Sequence, residues 1–138
     1  MVEFMSSAIK RFFENDRFAA LAGIKLIEVR PGYAKANMEI TDKHLNALNT
    51  VHGGVLFTLA DLAFAAAVNS HGQASLAINA NISYFKSPKG RILIAEAKEI
   101  PPSKKITGYT VDIFDENGEV IARFNGIAYR KKEQLEFN

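Results

Sequence analysis

Residues 53–69 constrain the fold most, because this run is small and apolar on every side of a helix. Between Val55 and Val68 only Thr58 and Asp61 are polar. A helix that is apolar on all faces is normally buried on all faces. The run is shorter than the roughly 20 residues that cross a bilayer. It therefore predicts a core helix of a globular protein and not a membrane span.

The chain on both sides of this helix has strand patterns. Residues 24–40 are strand-like around a Pro31-Gly32 turn, which predicts a hairpin. After residue 72 apolar residues alternate along 76–85, and three further strands are predicted over 91–100, 105–114 and 119–130. Asn117-Gly118 favours a tight hairpin between the last two strands.

The first twenty residues predict an amphipathic leading helix over 1–20, since apolar residues recur there at roughly helical spacing between charged ones. The order of elements is then α, β, β, α, β, β, β, β. The simplest packing is an α+β domain over residues 1–138, in which a curved antiparallel sheet wraps around the central helix at 53–69. That architecture is the hotdog fold.

Composition excludes several classes of function. The 138 residues, 48% of them hydrophobic, fit one domain, and the absence of Cys excludes disulfides, thiolate metal sites and a Cys nucleophile. No signal peptide is recognisable, so we expect a cytoplasmic protein. The net charge of +2 does not predict a nucleic-acid partner. His44, His52 and His71 fit no common ligand spacing, so we expect no metal and no redox cofactor.

Asp61 is the anomalous residue of the central helix, because its neighbours along the chain are apolar. Burial of a carboxylate without a partner costs free energy. Either a structural partner satisfies this carboxylate or it is a catalytic base or nucleophile. The helix alone favours neither interpretation.

The sequence Val51-His52-Gly53-Gly54 leads directly into the helix, whose first N–H groups lack intrahelical acceptors. An N–H near Gly53 or Gly54 is a candidate donor to a developing oxyanion, although for the glycine pair alone a tight loop-to-helix junction is the favoured explanation. At about 1.5 Å per residue, Gly53 and Asp61 are separated by roughly 12 Å along the axis. They can act on one carbonyl only across a two-fold dimer with antiparallel central helices.

The run from Asn46 to Ala65, NALNTVHGGVLFTLADLAFA, closely resembles the hotdog thioesterases of the phenylacetic-acid-degradation (PaaI-like) type. The similarity continues through residues 79–88 and into the later strands. The resemblance implies an acyl-CoA substrate, with coenzyme A as part of that substrate and no separate cofactor. It also implies a cytosolic homotetramer of two hotdog dimers, with no membrane partner.

The resemblance assigns roles residue by residue. Asp61 corresponds to the general base or nucleophile, and the Gly53 N–H to the donor that holds the carbonyl oxygen. Asn46 corresponds to the amide that orients the thioester or water, and His52 to the motif histidine that shapes the loop. The expected substrate-binding residues are Gly54 beside the carbonyl, Phe57 and Phe64 in the acyl pocket, and Lys86, Lys89, Arg91, Lys104 and Lys105 for the CoA phosphates.

Two positions depart from the family pattern. Asn49 stands where the family commonly has Gly, and Asn also enters left-handed backbone conformations. Ala77 stands where some relatives carry a hydroxyl that assists the water, and Ser75 lies two residues away on the same strand face. Two alternatives remain: a non-catalytic acyl-CoA-binding sensor, and a dehydratase or hydratase on the same fold.

Overall fold

The computed structural model describes residues 2–137, with side chains from Phe4 to Phe137. In chain order the elements are α1 (Val2–Phe13), α2 (Arg17–Leu21), β1 (Lys25–Arg30), β2 (Tyr33–Glu39), α3 (Gly53–Val68), β3 (Gln73–Tyr84), β4 (Ile92–Ile100), β5 (Ile106–Phe114) and β6 (Val120–Gln134). The predicted central helix and the six predicted strands are confirmed. β6 continues four residues beyond its predicted end at Arg130, through the basic run that follows.

The strands form one antiparallel sheet in the order β1-β2-β4-β5-β6-β3. α3 packs across one face of this sheet, mainly on β2, β4 and β5. One cross-strand row under the helix consists of Ala36, Ala95, Ile113 and Ala122, and every member is fully buried. The three alanines in this row let the helix lie close to the sheet.

The leading segment differs from the prediction, because the chain forms two helices and not one helix over residues 1–20. α1 ends at Phe13, and Asp16 begins α2 by accepting a hydrogen bond from the Ala19 N–H at 3.0 Å. Asp is a favoured residue at this helix position because its carboxylate satisfies a free N–H of the first turn. Met1, the first residue of the predicted helix, lies outside the described residues.

The predicted turns are confirmed by their backbone angles. Gly32 has φ of +74° between β1 and β2, and Gly118 has φ of +76° between β5 and β6. Glycine adopts this left-handed region without steric cost. None of the helices within residues 2–137 has both the length and the apolarity that a membrane span requires.

Candidate active site

The central helix leaves one stripe of its surface partly exposed in the single chain. Thr58, Asp61 and Ala65 lie on this stripe, at spacings of three and four residues, and all three are half-buried. The sheet, α1 and α2 pack against the other sides of α3. The prediction of a helix covered on every side is therefore wrong for this stripe of the isolated chain.

Asp61 has no hydrogen bond and no ion pair within residues 4–137. Burial raises the pKa of its carboxyl above the ordinary value, and the negative charge of Asp16 raises the pKa further. A carboxylate that is partly desolvated and lacks a partner holds a proton more tightly than a solvated one. Such a group is a candidate general base or nucleophile.

The two glycines at the start of α3 differ in their hydrogen bonds. His52 caps the helix, and its Nδ1 accepts a hydrogen bond from the Gly54 N–H at 2.8 Å. The Gly53 N–H donates to no acceptor in the part of the chain that the structure describes. Of the two candidate oxyanion donors, Gly53 is therefore the one that is free to bind a ligand.

Asn46 organises the loop before the helix. Its Oδ1 accepts hydrogen bonds from the Leu48 N–H at 2.9 Å and from the N–H and hydroxyl of Thr50, both at 3.2 Å. Its Nδ2 makes no hydrogen bond to another residue between 4 and 137. Asn49 in this loop has φ of +59°, which confirms that it occupies a left-handed conformation. The replacement of the family glycine is thus accommodated by the backbone preference of Asn.

A cleft of about 410 Å³ opens beside the N-terminus of α3. It brings together three residues predicted from the sequence: Asn46, Gly53 and Lys86. Tyr84 also lines it and donates a hydrogen bond from its hydroxyl to the Gly53 carbonyl oxygen at 2.9 Å. No sequence pattern predicts a function for Tyr84, because alternation along a strand accounts for it fully.

The basic residues lie at two separate places. Lys86 forms an ion pair with Glu119, and the following loop is fixed by hydrogen bonds from the Lys89 and Arg91 N–H groups to side chains of the β5–β6 turn. Lys104 and Lys105 follow β4, whereas the first basic loop precedes it. A strand of nine residues is about 30 Å long, so one chain does not bring the two basic loops together.

The two predicted acyl-pocket aromatics also differ. Phe57 is half-buried and packs edge-to-face on Phe124, with ring centroids 5.2 Å apart. Phe64 is only 1% exposed and packs on Phe124 and Tyr109 in the core. Gly126 leaves room for its ring, since a Cβ there would lie 2.6 Å from it. Phe64 therefore lines no part of the cleft in the single chain.

The inner face of β3 lacks a hydroxyl at residue 77. Ala77 is paired with Ala128 of β6, and Ser75 is paired with Arg130 on the same face. The Ser75 hydroxyl donates to the Gln73 carbonyl oxygen at 3.2 Å. No group of three or more His, Asp or Glu side chains that could hold a metal ion occurs among the described residues.

The sequence of this chain is similar to those of known thioesterases and esterases. A family model described as the thioesterase superfamily matches residues 48–122, which include His52, Gly53 and Asp61. A putative esterase of Archaeoglobus fulgidus is 42% identical over 89% of this chain and 80% of its own length. Acyl-coenzyme A thioesterase PaaI of Escherichia coli is 35% identical over 86% of this chain and 85% of its own length.

The solved structure of the Escherichia coli PaaI protein aligns over 96% of this chain and 99% of the PaaI chain, with a TM-score of 0.86 and 31% sequence identity. The predicted hotdog fold is thereby confirmed. The chain belongs to the thioesterase superfamily, within which it is similar to the PaaI-like enzymes.

Proposed function

We propose that this enzyme hydrolyses an aromatic or medium- to long-chain acyl-CoA to the free acid and coenzyme A. The observation that carries the proposal is the pair of unpartnered groups on α3: the Asp61 carboxylate and the Gly53 N–H. The first is suited to activate or perform the attack, and the second to bind the oxygen that becomes negative. The name of the Escherichia coli relative, an acyl-coenzyme A thioesterase, supports the substrate class.

Both routes open to Asp61 break the same C–S bond. As a base, Asp61 takes a proton from water while the water oxygen attacks the thioester carbon. As a nucleophile, it forms an anhydride with the acyl group, which water then hydrolyses. In either route the Gly53 N–H stabilises the oxyanion. The leaving thiolate of CoA takes the proton held by Asp61 in the first route and a proton from water in the second.

The reaction requires a dimer, because Gly53 and Asp61 are roughly 12 Å apart along one helix. Two surfaces of the single chain support a two-fold partner. One is the half-buried stripe of Thr58, Asp61 and Ala65 on α3. The other is the free edge of β3, which carries no charged residue and exposes large apolar side chains. An uncharged edge strand of this length is normally covered by another chain.

The remaining roles follow from the site and from the resemblance. Asn46 orients the thioester or the water through its Nδ2, Gly54 lies beside the carbonyl, and Phe57 contacts the acyl end. Phe64 supports Phe57 from the core through Phe124, on which both rings pack. Lys86, Lys89, Arg91, Lys104 and Lys105 supply cations for the CoA phosphates, with the two basic loops contributed by different protomers. We further propose that two dimers form a cytosolic tetramer that needs no separate cofactor.

The test is thiol release from a panel of aromatic and straight-chain acyl-CoAs, measured with a colorimetric thiol reagent. Asp61→Asn should lower kcat by at least about 10²-fold, since a positioned base contributes about 10² to 10⁴. Asp112→Asn is the matched control, because Asp112 lies on β5 and pairs with Arg123 at 2.6 Å. Light scattering should show the same assembly for wild type, Asp61→Asn and Asp112→Asn.

Each outcome decides between the candidate functions. Full activity of Asp61→Asn would reject the assignment of Asp61. Binding of the esters by wild type without thiol release would favour the sensor. Loss of the conjugated absorbance of an enoyl-CoA without thiol release would favour a hydratase.

A further inference from the structure

The peptide group between Gly53 and Gly54 is held by a side chain at each end. Its N–H donates to Nδ1 of His52 at 2.8 Å, and its carbonyl oxygen accepts from the Tyr84 hydroxyl at 2.9 Å. Because a peptide group is planar, two bonds at opposite ends fix the orientation of the whole plane. We propose that Tyr84 is a positioning residue: the plane it holds shares the Gly53 Cα with the preceding peptide group, and fixing that Cα keeps the Gly53 N–H facing the substrate. This inference rests on the proposed thioesterase function.

The backbone at this point needs such a restraint. Two consecutive glycines have more conformational freedom than any other pair, and they occupy the first turn of a helix, where N–H groups lack intrahelical acceptors. A donor to an oxyanion is effective only when it is oriented before the reaction begins. The cap from His52 comes from the adjacent residue, so it moves with the same segment. Tyr84 is 31 residues away and ties the glycines to the sheet.

The ring of Tyr84 also packs directly on Gly53. A Cβ added to Gly53 would lie 2.9 Å from both Cζ and the hydroxyl oxygen of Tyr84. Only glycine therefore permits this close approach. Tyr84 is paired with Ala122 on β6, whose small side chain leaves the ring free to reach the helix. The same contact explains why Gly and not Ala begins α3.

Tyr84 is in place to act on the reaction without contacting the reacting atoms. It lines the same cleft as Asn46 and Lys86, and in the single chain its side chain lies outside the core, since Tyr84 is 51% exposed. Loss of its hydroxyl should therefore change the orientation of Gly53 without unfolding the chain. That separation makes the proposal testable by kinetics.

The first experiment compares Tyr84→Phe with wild type on the acyl-CoA of the panel that wild type hydrolyses fastest. We expect kcat to fall about tenfold with KM within about twofold, because a misplaced catalytic group lowers the rate more than binding. Tyr33→Phe is the matched control, since it loses a similar bond, to Glu96 at 2.8 Å, on β2 outside the cleft. Its kcat should equal that of wild type.

A second measurement reads the oxyanion donor directly. In the Asp61→Asn background, which keeps the ester intact, the infrared band of the bound thioester carbonyl reports its hydrogen bond. Adding Tyr84→Phe should move this band toward its position in free acyl-CoA, and adding Tyr33→Phe should leave it in place. A purely structural role of Tyr84 would lower kcat only through the amount of folded enzyme and would leave the band in place.

The outcomes separate the two proposals. If wild type hydrolyses the ester and Tyr84→Phe keeps both kcat and the carbonyl band, the positioning role is rejected while the thioesterase function stands. If wild type binds the esters without turnover, the thioesterase function is rejected, and an unchanged band in Tyr84→Phe would reject the positioning role as well. If wild type neither binds nor hydrolyses any ester, both proposals fall.

Discussion

The two ends of α3 differ in whether their backbone groups have hydrogen-bond partners. At the C-terminal end the Ala67 carbonyl oxygen accepts a hydrogen bond from the Ser70 hydroxyl at 2.6 Å and lies 3.1 Å from the Tyr109 hydroxyl, whose one proton it shares with Glu99. At the N-terminal end the Gly53 N–H is left without an acceptor within residues 4–137. The C-terminal end, here called the anchoring end, fixes the helix to the sheet. The N-terminal end, here called the open end, keeps a donor available for a ligand.

Two carboxylates show the same contrast. Glu99, near the C-terminal end, accepts hydrogen bonds from His71 at 2.6 Å and from Tyr109 at 2.8 Å. Burial acts to raise the pKa of Glu99, but these bonds and one from Ser103 outweigh it, so the pKa is lowered. Burial also raises the pKa of Asp61, and nothing offsets that effect. The number of partners, more than the degree of burial, separates the structural carboxylate from the candidate catalytic one.

Gly53→Ala should give the largest effect at the open end. The added Cβ would lie 2.9 Å from the Tyr84 ring, so the ring and the first turn of α3 must shift. This shift moves the N–H of residue 53 away from the oxyanion, so we expect kcat to fall about 10²-fold, the typical loss of one oxyanion donor, with little change in the free energy of unfolding. Thiol release and urea unfolding measure the two quantities.

The control for this variant is Gly108→Ala on β5. There an added Cβ meets its nearest neighbour, Ile100, at an ordinary 3.5 Å, so both quantities should stay near wild type. Equal kcat for Gly53→Ala and wild type would contradict the assignment of the open end as the site of carbonyl binding.

Glu99→Gln should lower the free energy of unfolding and leave kcat nearly unchanged, the reverse of Gly53→Ala. At pH 7 the folded state favours the ionised carboxylate, and hydrogen bonds to a charged group are the stronger ones, so we expect a loss of about 2 kcal/mol in the free energy of unfolding. The folded pKa of Glu99 is lowered, so its contribution is present at neutral pH and is lost as the pH falls through that pKa. Urea unfolding at neutral and acidic pH should therefore show a difference from wild type that shrinks on acidification.

Glu96→Gln is the control on the same strand, because Glu96 accepts one hydrogen bond, from Tyr33. Its effect should be less than half that of Glu99→Gln. A loss of kcat in Glu99→Gln at temperatures where it is fully folded would contradict the division of α3 into an open and an anchoring end.

The features that the sequence predicts correctly are local ones. The bounds of α3 follow from an apolar run that begins at a glycine pair, and the hairpin between β5 and β6 follows from Asn117-Gly118. The break between α1 and α2 also has a local signal, because Asp16 is a residue that favours the start of a helix. Apolar residues keep helical spacing on both sides of Asp16, and so the periodicity alone predicts one continuous helix.

What the sequence does not predict depends on tertiary contacts. The hydrogen bond from Tyr84 to Gly53 joins residues 31 positions apart, and no pattern along β3 distinguishes Tyr84 from other strand residues. The core position of Phe64 depends on the space left by Gly126 on another element. The partly exposed stripe of Thr58, Asp61 and Ala65 depends on which sides of α3 the rest of the chain covers. None of these can be read from periodicity, which does not identify the neighbour of a helix face.

The loop before α3 provides the smallest test, because its conformation sets the open end. Asn49 has φ of +59°, where a residue with a Cβ other than Asn or Asp is strained by roughly 1 kcal/mol or more. Asn49→Ala should therefore lower the free energy of unfolding by about 1 kcal/mol, while Asn49→Gly should stay within about 0.5 kcal/mol of wild type. Both variants lose the amide, so urea unfolding of the pair isolates the backbone strain. An equal loss in both would instead assign the effect to the Asn49 side chain, and the loop would then depend on a contact that its backbone angle does not reveal.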